Sequence, residues 1–248
     1  MWLFERPVAH RGLHTDPSVL TENSMGAFKN AIEHNYNIET DVHLLKSGEV
    51  VVFHDNTLKR VCGKDVAISS LTLDDIKGDN YLLPNGEHIP LFSEMLELVD
   101  GKVGILLELK FNGLGDYRLE EEVLKLIKGK ESWIAVQAFN PYTVIWFNQN
   151  APEFYRGLLS MYLVGMDVMM YFKKMNPNFI SYEISGIKFV KKYVKKKNVN
   201  LLCWTINTPE KLQSCVNNKI NNIIFEKIDL DKLEFSLDKL SKPVEEQE

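Results

Sequence analysis

Short apolar runs recur along this chain, and most are followed by a stretch whose apolar residues repeat at helical spacing. Eight runs read as strands, near 7–10, 37–42, 104–110, 134–139, 154–160, 178–183, 200–206 and 221–226. Ala27, Phe28, Ala31 and Ile32 repeat every three to four residues behind a cap at Asn23 or Ser24. Ile187, Val190 and Val194 do the same before Asn198, and Pro141 and Pro209 stand where a first helical turn begins. Strands alternating with helices predict a parallel sheet, and eight such units predict a closed α/β structure, a (β/α)8 TIM barrel.

The alternation breaks between about 43 and 103. Ser47-Gly48 marks a turn before a second extended run at 49–53, followed by helical patches around Leu73-Ile76 and Phe92-Leu98 with a Pro84-Asn85-Gly86 turn between them. This predicts a small insertion after the second strand, placed over the barrel mouth. No internal repeat interrupts the pattern, and from Pro243 onward an acidic tail is expected to fray. The 248 residues suit a single domain spanning 1–248, since one such barrel typically takes about 250.

Composition narrows the class. Cys62, Cys203 and Cys215 form neither an even framework nor a Cys-x-x-Cys pair, and read as reduced thiols. A net charge of −5 argues against nucleic acid as a partner. Met1 to Phe4 is too short for a secretory apolar core, and no run approaches the roughly 20 residues of a membrane span. The lysine run at 188–197 carries the Ile187, Val190, Val194 stripe of an ordinary amphipathic helix. The expectation is a cytoplasmic protein with no stable membrane insertion.

The candidate chemistry sits at strand ends, where a parallel barrel gathers its catalytic groups. Glu39 and Asp41 are two apart on one strand, so their side chains point the same way. If that way is inward, two carboxylates share a crowded site, a costly arrangement that a divalent cation relieves. Glu108, on the next barrel strand, supplies a third oxygen. Oxygen-only ligation suits calcium, magnesium or manganese rather than zinc. Arg11 offers a planar fork to phosphate oxygens, and Lys110, two beyond Glu108, a point charge. Of six histidines, His10 and His54 follow strand-like runs, and imidazole serves as acid or base near neutral pH. Glu22-Asn23 opens the first helix, either as a cap with an N-terminal acid or as support for the site.

His10-Arg11-Gly12, Thr21-Glu22-Asn23-Ser24, Glu39-Thr40-Asp41-Val42, Val51-Val52-Phe53-His54-Asp55 with Leu58 and Arg60, Glu108-Leu109-Lys110 and Trp204-Thr205-Ile206-Asn207 occur in one order from residue 10 to 207. Together they resemble the glycerophosphodiester phosphodiesterase family. The resemblance implies a barrel enzyme that uses a divalent metal to hydrolyse small glycerophosphodiesters to an alcohol and glycerol 3-phosphate. It implies that Glu39, Asp41 and Glu108 hold the metal and that His10 and His54 divide the acid and base roles. Arg11 and Lys110 would then address the phosphate, and Trp204 would wall the substrate pocket. His14, His34, His43 and His88 are left as ordinary. Two places depart from the family's pattern. Ala138-Phe139 replaces Ser-Phe, and Phe225-Glu226 replaces Thr-Asp; neither is expected to carry the metal or the histidines. A lysophospholipase D, a phosphoinositide phospholipase C-like barrel and a silent phosphodiester-binding barrel are the rival readings. The first would need an apolar channel near Tyr81-Leu82-Leu83.

Overall fold

The computed structural model describes residues 1–161 and 166–244. Its strands are β1 (Val8–His10), β2 (Asn37–Leu44), β3 (Val50–Val52), β4 (Ile105–Leu109), β5 (Ile134–Ala138), β6 (Tyr155–Ser160), β7 (Phe179–Glu183), β8 (Asn200–Ile206) and β9 (Asn222–Phe225). All but β3 pair in parallel, and β1 pairs with both β2 and β9, so eight strands close into a barrel. β3 is a hairpin strand, antiparallel to the outer half of β2. Each strand of the eight lies close to a run marked in the sequence.

The helices α1 (Met25–Glu33), α2 (Lys59–Cys62), α3 (Leu73–Lys77), α4 (Phe92–Val99), α5 (Arg118–Ile127), α6 (Pro141–Asn150), α7 (Met166–Met175), α8 (Ile187–Lys197) and α9 (Pro209–Asn218) alternate with the strands. Ser24, not Asn23, caps α1, its hydroxyl accepting from the Ala27 amide. Phe92, Met95 and Val99 of α4 are fully buried in the core between barrel and helices. That helix is therefore the barrel's own crossover from β2 to β4, and the insertion proper ends before it. α2 and α3 belong to the insertion, which has a core of its own around Leu45, Phe53, Leu58, Ile68 and Ile76. Among the described residues, no helix is long and apolar enough to cross a membrane.

Inside the barrel, Val8, Leu106, Ala135, Tyr155, Phe179, Leu202 and Ile224 form one buried cluster with Leu3 and Phe4 of the N-terminal turn. Asn37 and Asn222 fasten that turn by donating to backbone carbonyls of Trp2, Leu3 and Arg6. Gly157 leaves room for the Phe179 ring, which would lie 2.1 Å from a Cβ there. This apolar plug sets the level of the chemistry. Two residues further along the strands, on the same inward face, come His10, Glu108, Gln137, Trp204 and Glu226.

Candidate active site

The ladder places the acidic residues side by side. His10 pairs with Glu39 across β1 and β2, and Asp41 pairs with Glu108 across β2 and β4. Glu39, Asp41 and Glu108 are buried, and one oxygen from each lies within 4.8 Å of the others. Burial, with Asp41 and Glu108 alongside, pushes Glu39 well above the usual carboxyl range. Burial and Asp41 push Glu108 to about 7. Burial would raise Asp41 as well, but Lys110, His54 and Arg11 outweigh it and hold that carboxyl low. Three buried oxygen donors in mutual conflict fit a hard divalent cation.

Two cations flank the trio. Lys110 Nζ lies 2.7 Å from Asp41 and 2.5 Å from Glu108. The Arg11 guanidinium donates to Glu22 at 2.8 Å, with its Nε 3.6 Å from Asp41, and the Arg11 amide donates to Glu39 at 3.1 Å. That last bond needs the left-handed turn at Arg11 (φ 56°) and Gly12 (φ 79°). A Cβ on Gly12 would stand 2.9 Å from Ala27, so glycine is required there by both backbone and space. Glu22-Asn23 supports the site rather than capping the helix. Asn23 donates to Asp41 at 2.9 Å and accepts from Thr40 at 2.8 Å. Glu22 joins Arg11 to Arg60, and Arg60 also grips Asp55. The insertion is thereby tied to the rim of β1.

Both histidines line the cavity at the mouth. His54 Nδ1 lies 2.5 Å from Asp55, and the His10 Nδ1 lies 2.8 Å from Glu226, with the other nitrogen of His10 3.9 Å from Glu39. A carboxylate at Nδ1 fixes the tautomer and leaves Nε2 for chemistry. Burial lowers both imidazoles from their ordinary value, favouring the neutral form. Glu226 therefore does not stand apart from the histidines, as its departure from the expected pattern suggested. Its hydrogen bond from His10, with the His14 ring close by, holds it low. The signal was present in the sequence: Glu226 lies two beyond Ile224 on an inward face, the same spacing that singled out Glu39 and Asp41. His14 is also more than ordinary, being buried with Nε2 3.5 Å from Glu226. His43 is buried with Nε2 3.1 Å from the His54 carbonyl, and burial lowers it to about 4. His34 and His88 are exposed.

The far side of the mouth is apolar. A pocket of about 290 Å³ runs from His10 and Glu108 to Leu159, Trp204 and Ile224. The Trp204 indole stands edge-on to Phe139 at 5.7 Å. Gln137 is buried in the pocket wall, and neither of its amide atoms has a hydrogen-bond partner among the described residues. Sequence reasoning passed over Gln137, although it pairs with Glu108 in the ladder.

Residues 10–230 match the glycerophosphoryl diester phosphodiesterase family profile. A glycerophosphodiester phosphodiesterase of Caldanaerobacter subterraneus is 30% identical over 88% of this chain and 92% of its own length. A phosphodiesterase of Oleispira antarctica, solved in complex with the product sn-glycerol-3-phosphate, superposes with a TM-score of 0.76 at 22% identity, covering 90% of this chain and 92% of that one. A glycerophosphodiester phosphodiesterase of Parabacteroides distasonis gives 0.78 at 22% identity, over 93% and 96%.

Proposed function

Because the chain belongs to the glycerophosphoryl diester phosphodiesterase family, we propose that it hydrolyses glycerophosphodiesters to an alcohol and glycerol 3-phosphate with one divalent cation. The observation that carries this reading is the convergence of three buried carboxylates, two cations and two carboxylate-anchored histidines at one mouth. Glu39, Asp41 and Glu108 would hold the cation, which when bound supplies positive charge for the phosphate oxygens. Oxygen ligation favours calcium or magnesium, with manganese the third choice.

Arg11 and Lys110 face the same phosphate. In the free site each is balanced by carboxylates. Lys110 is held charged by Asp41 and Glu108 against the burial that would discharge it. His10 and His54 divide the proton transfers. One, neutral, takes the proton of the attacking oxygen at Nε2, and the other, charged as an imidazolium beside its carboxylate, gives its Nε2 proton to the departing alcohol oxygen. Glu226 and Asp55 hold the two rings so that Nε2 is the working atom. Trp204 walls the pocket that receives one arm of the diester, and the unpartnered Gln137 amide suits a hydroxyl of that arm.

The test is an assay for choline and glycerol 3-phosphate released from glycerophosphocholine, with and without chelator. Release that chelator abolishes and a divalent cation restores supports the reading. Binding of glycerophosphocholine without release under any cation would leave a phosphodiester-binding barrel instead.

A further inference from the structure

The motif that carries His54 and Asp55 extends to Leu58 and Arg60, and the reaction above uses neither. Leu58 serves packing. It is fully buried in the insertion's own core, which Leu83 also enters, so the segment Tyr81-Leu82-Leu83 opens no apolar channel. Arg60 has no such use. It projects from α2, none of whose residues is buried, and its side chain is about half exposed. Ion pairs that far into water add little to stability. Yet the guanidinium makes four hydrogen bonds to two carboxylates. Nε and Nη2 donate to Asp55 at 2.7 and 3.0 Å, and Nη1 and Nη2 donate to Glu22 at 2.9 and 2.7 Å. Each carboxylate serves a group at the mouth: Asp55 takes the His54 Nδ1 at 2.5 Å, and Glu22 accepts from Arg11 at 2.8 Å. Burial would raise both carboxyls, but Arg60, with His54 at the one and Arg11 at the other, brings each to about 2.

We propose that Arg60 is a positioning residue of the reaction: its fork clamps Asp55 to Glu22 and so holds the His54 ring in register with Arg11. This rests on the phosphodiesterase reading above. His54 follows the hairpin strand β3, whereas Arg11 and Glu22 lie between β1 and α1. The group that moves a proton and the group that binds phosphate therefore stand on separate stretches of chain, and the Arg60 fork spans them. Asp55 is partly exposed. Unclamped, it has water to turn to, and the ring loses the acceptor that fixes its tautomer. With both of its oxygens on the guanidinium, it stays on the ring. Planar, paired donation of this kind is beyond lysine, which would bring the charge without the fork. Misplacing a reacting group by about 1 Å costs about 10²-fold in rate. A contact of little worth to the fold is thereby decisive for turnover.

The experiment compares the parent with Arg60→Met, Arg60→Lys, Asp55→Ala and the double variant Arg60→Met/Asp55→Ala. Turnover of glycerophosphocholine, cation affinity by titration and the 15N spectrum of the His54 ring are read on each, at matched thermal stability. Arg60→Met is expected to lower kcat about 10–100-fold. Its cation affinity should hold, since the four bonds of Arg60 go to other groups. Arg60→Lys should fall with Arg60→Met rather than stay with the parent, and it carries the test if the methionine protein loses its fold. Once Asp55 is gone, removing Arg60 should cost less than about threefold more, because the two act as one unit. The His54 nitrogens should report one dominant tautomer in the parent and a mixture in Arg60→Met. Parental kcat in Arg60→Met, or costs that multiply in the double variant, would overturn the inference; parental kcat in Arg60→Lys would reduce it to a charge effect and overturn the fork. A parent that releases no choline under any cation would sink the phosphodiesterase reading instead. The ring spectrum needs no turnover and still decides, since one tautomer in both proteins would overturn the positioning role by itself.

Discussion

The two halves of the barrel mouth solve opposite problems. On the side of β1, β2 and β4, nearly every polar group is engaged. Asp41 meets Lys110, Arg11 and Asn23, Glu22 links Arg11 to Arg60, and each mouth histidine rests on a carboxylate. On the side of β5, β6 and β8 the wall is Phe139, Leu159 and Trp204, and the polar Gln137 has no partner among the described residues. Groups locked by charge pairs on neighbouring strands are preorganised, as stabilisation of a transition state requires. An apolar wall contributes contact area that a substrate and its transition state share about equally, which is binding without selective acceleration. The charged half should thus control turnover and the apolar half affinity.

The sharpest way to break this division is to remove a histidine. His10→Ala and His54→Ala should each lower kcat by about 10²–10⁴, with KM and cation affinity little changed. Turnover close to wild type in either protein, at matched fold and metal content, would remove that ring from the reaction. Glu226→Ala should lower kcat about 10–100-fold, the usual cost of losing a group that orients another. Glu226→Gln should cost less, since an amide oxygen can still accept from Nδ1. The His10 ring nitrogens, followed by 15N NMR, should report a mixture of tautomers in the alanine variant and one dominant tautomer in the parent. Trp204→Ala should act on the other half and more gently. A rise in KM of about tenfold with kcat nearly unchanged fits the loss of an aromatic wall; a fall in kcat with unchanged KM would place Trp204 with the charged half.

The strands and the acidic trio were legible because both follow from a period of two. An apolar residue that plugs the barrel predicts the direction of the residue two further on, as Leu106 does for Glu108 and Val8 for His10. The same rule points to Glu226, whose departure from the family's Thr-Asp pattern hid its place beside His10. Helix α4 was grouped with the insertion because its apolar spacing says helix without saying which core it enters; only its packing against α1 and the barrel assigns it. Arg60 and Glu22 lie 38 positions apart in sequence, and their pairing depends on how the insertion folds back over β1. Spacing alone carries no information about such a contact. Nor does it tell whether Asn23 caps a helix or holds Asp41, because asparagine at a helix start serves either use.

The central claim is that Glu39, Asp41 and Glu108 bind one divalent cation on which hydrolysis depends. Isothermal titration of calcium, magnesium and manganese into chelator-stripped protein across a pH series tests it most directly. Glu108 sits at about 7 without a cation, so binding must release its proton below that pH, and Glu39, also raised, adds to the effect. The account predicts one site per chain for at least one of the three ions. Its affinity should climb about tenfold or more per pH unit up to 7, flatten once the carboxyls have ionised, and vanish in Glu39→Gln. No binding of any of the three, or binding unchanged by that substitution, would contradict it.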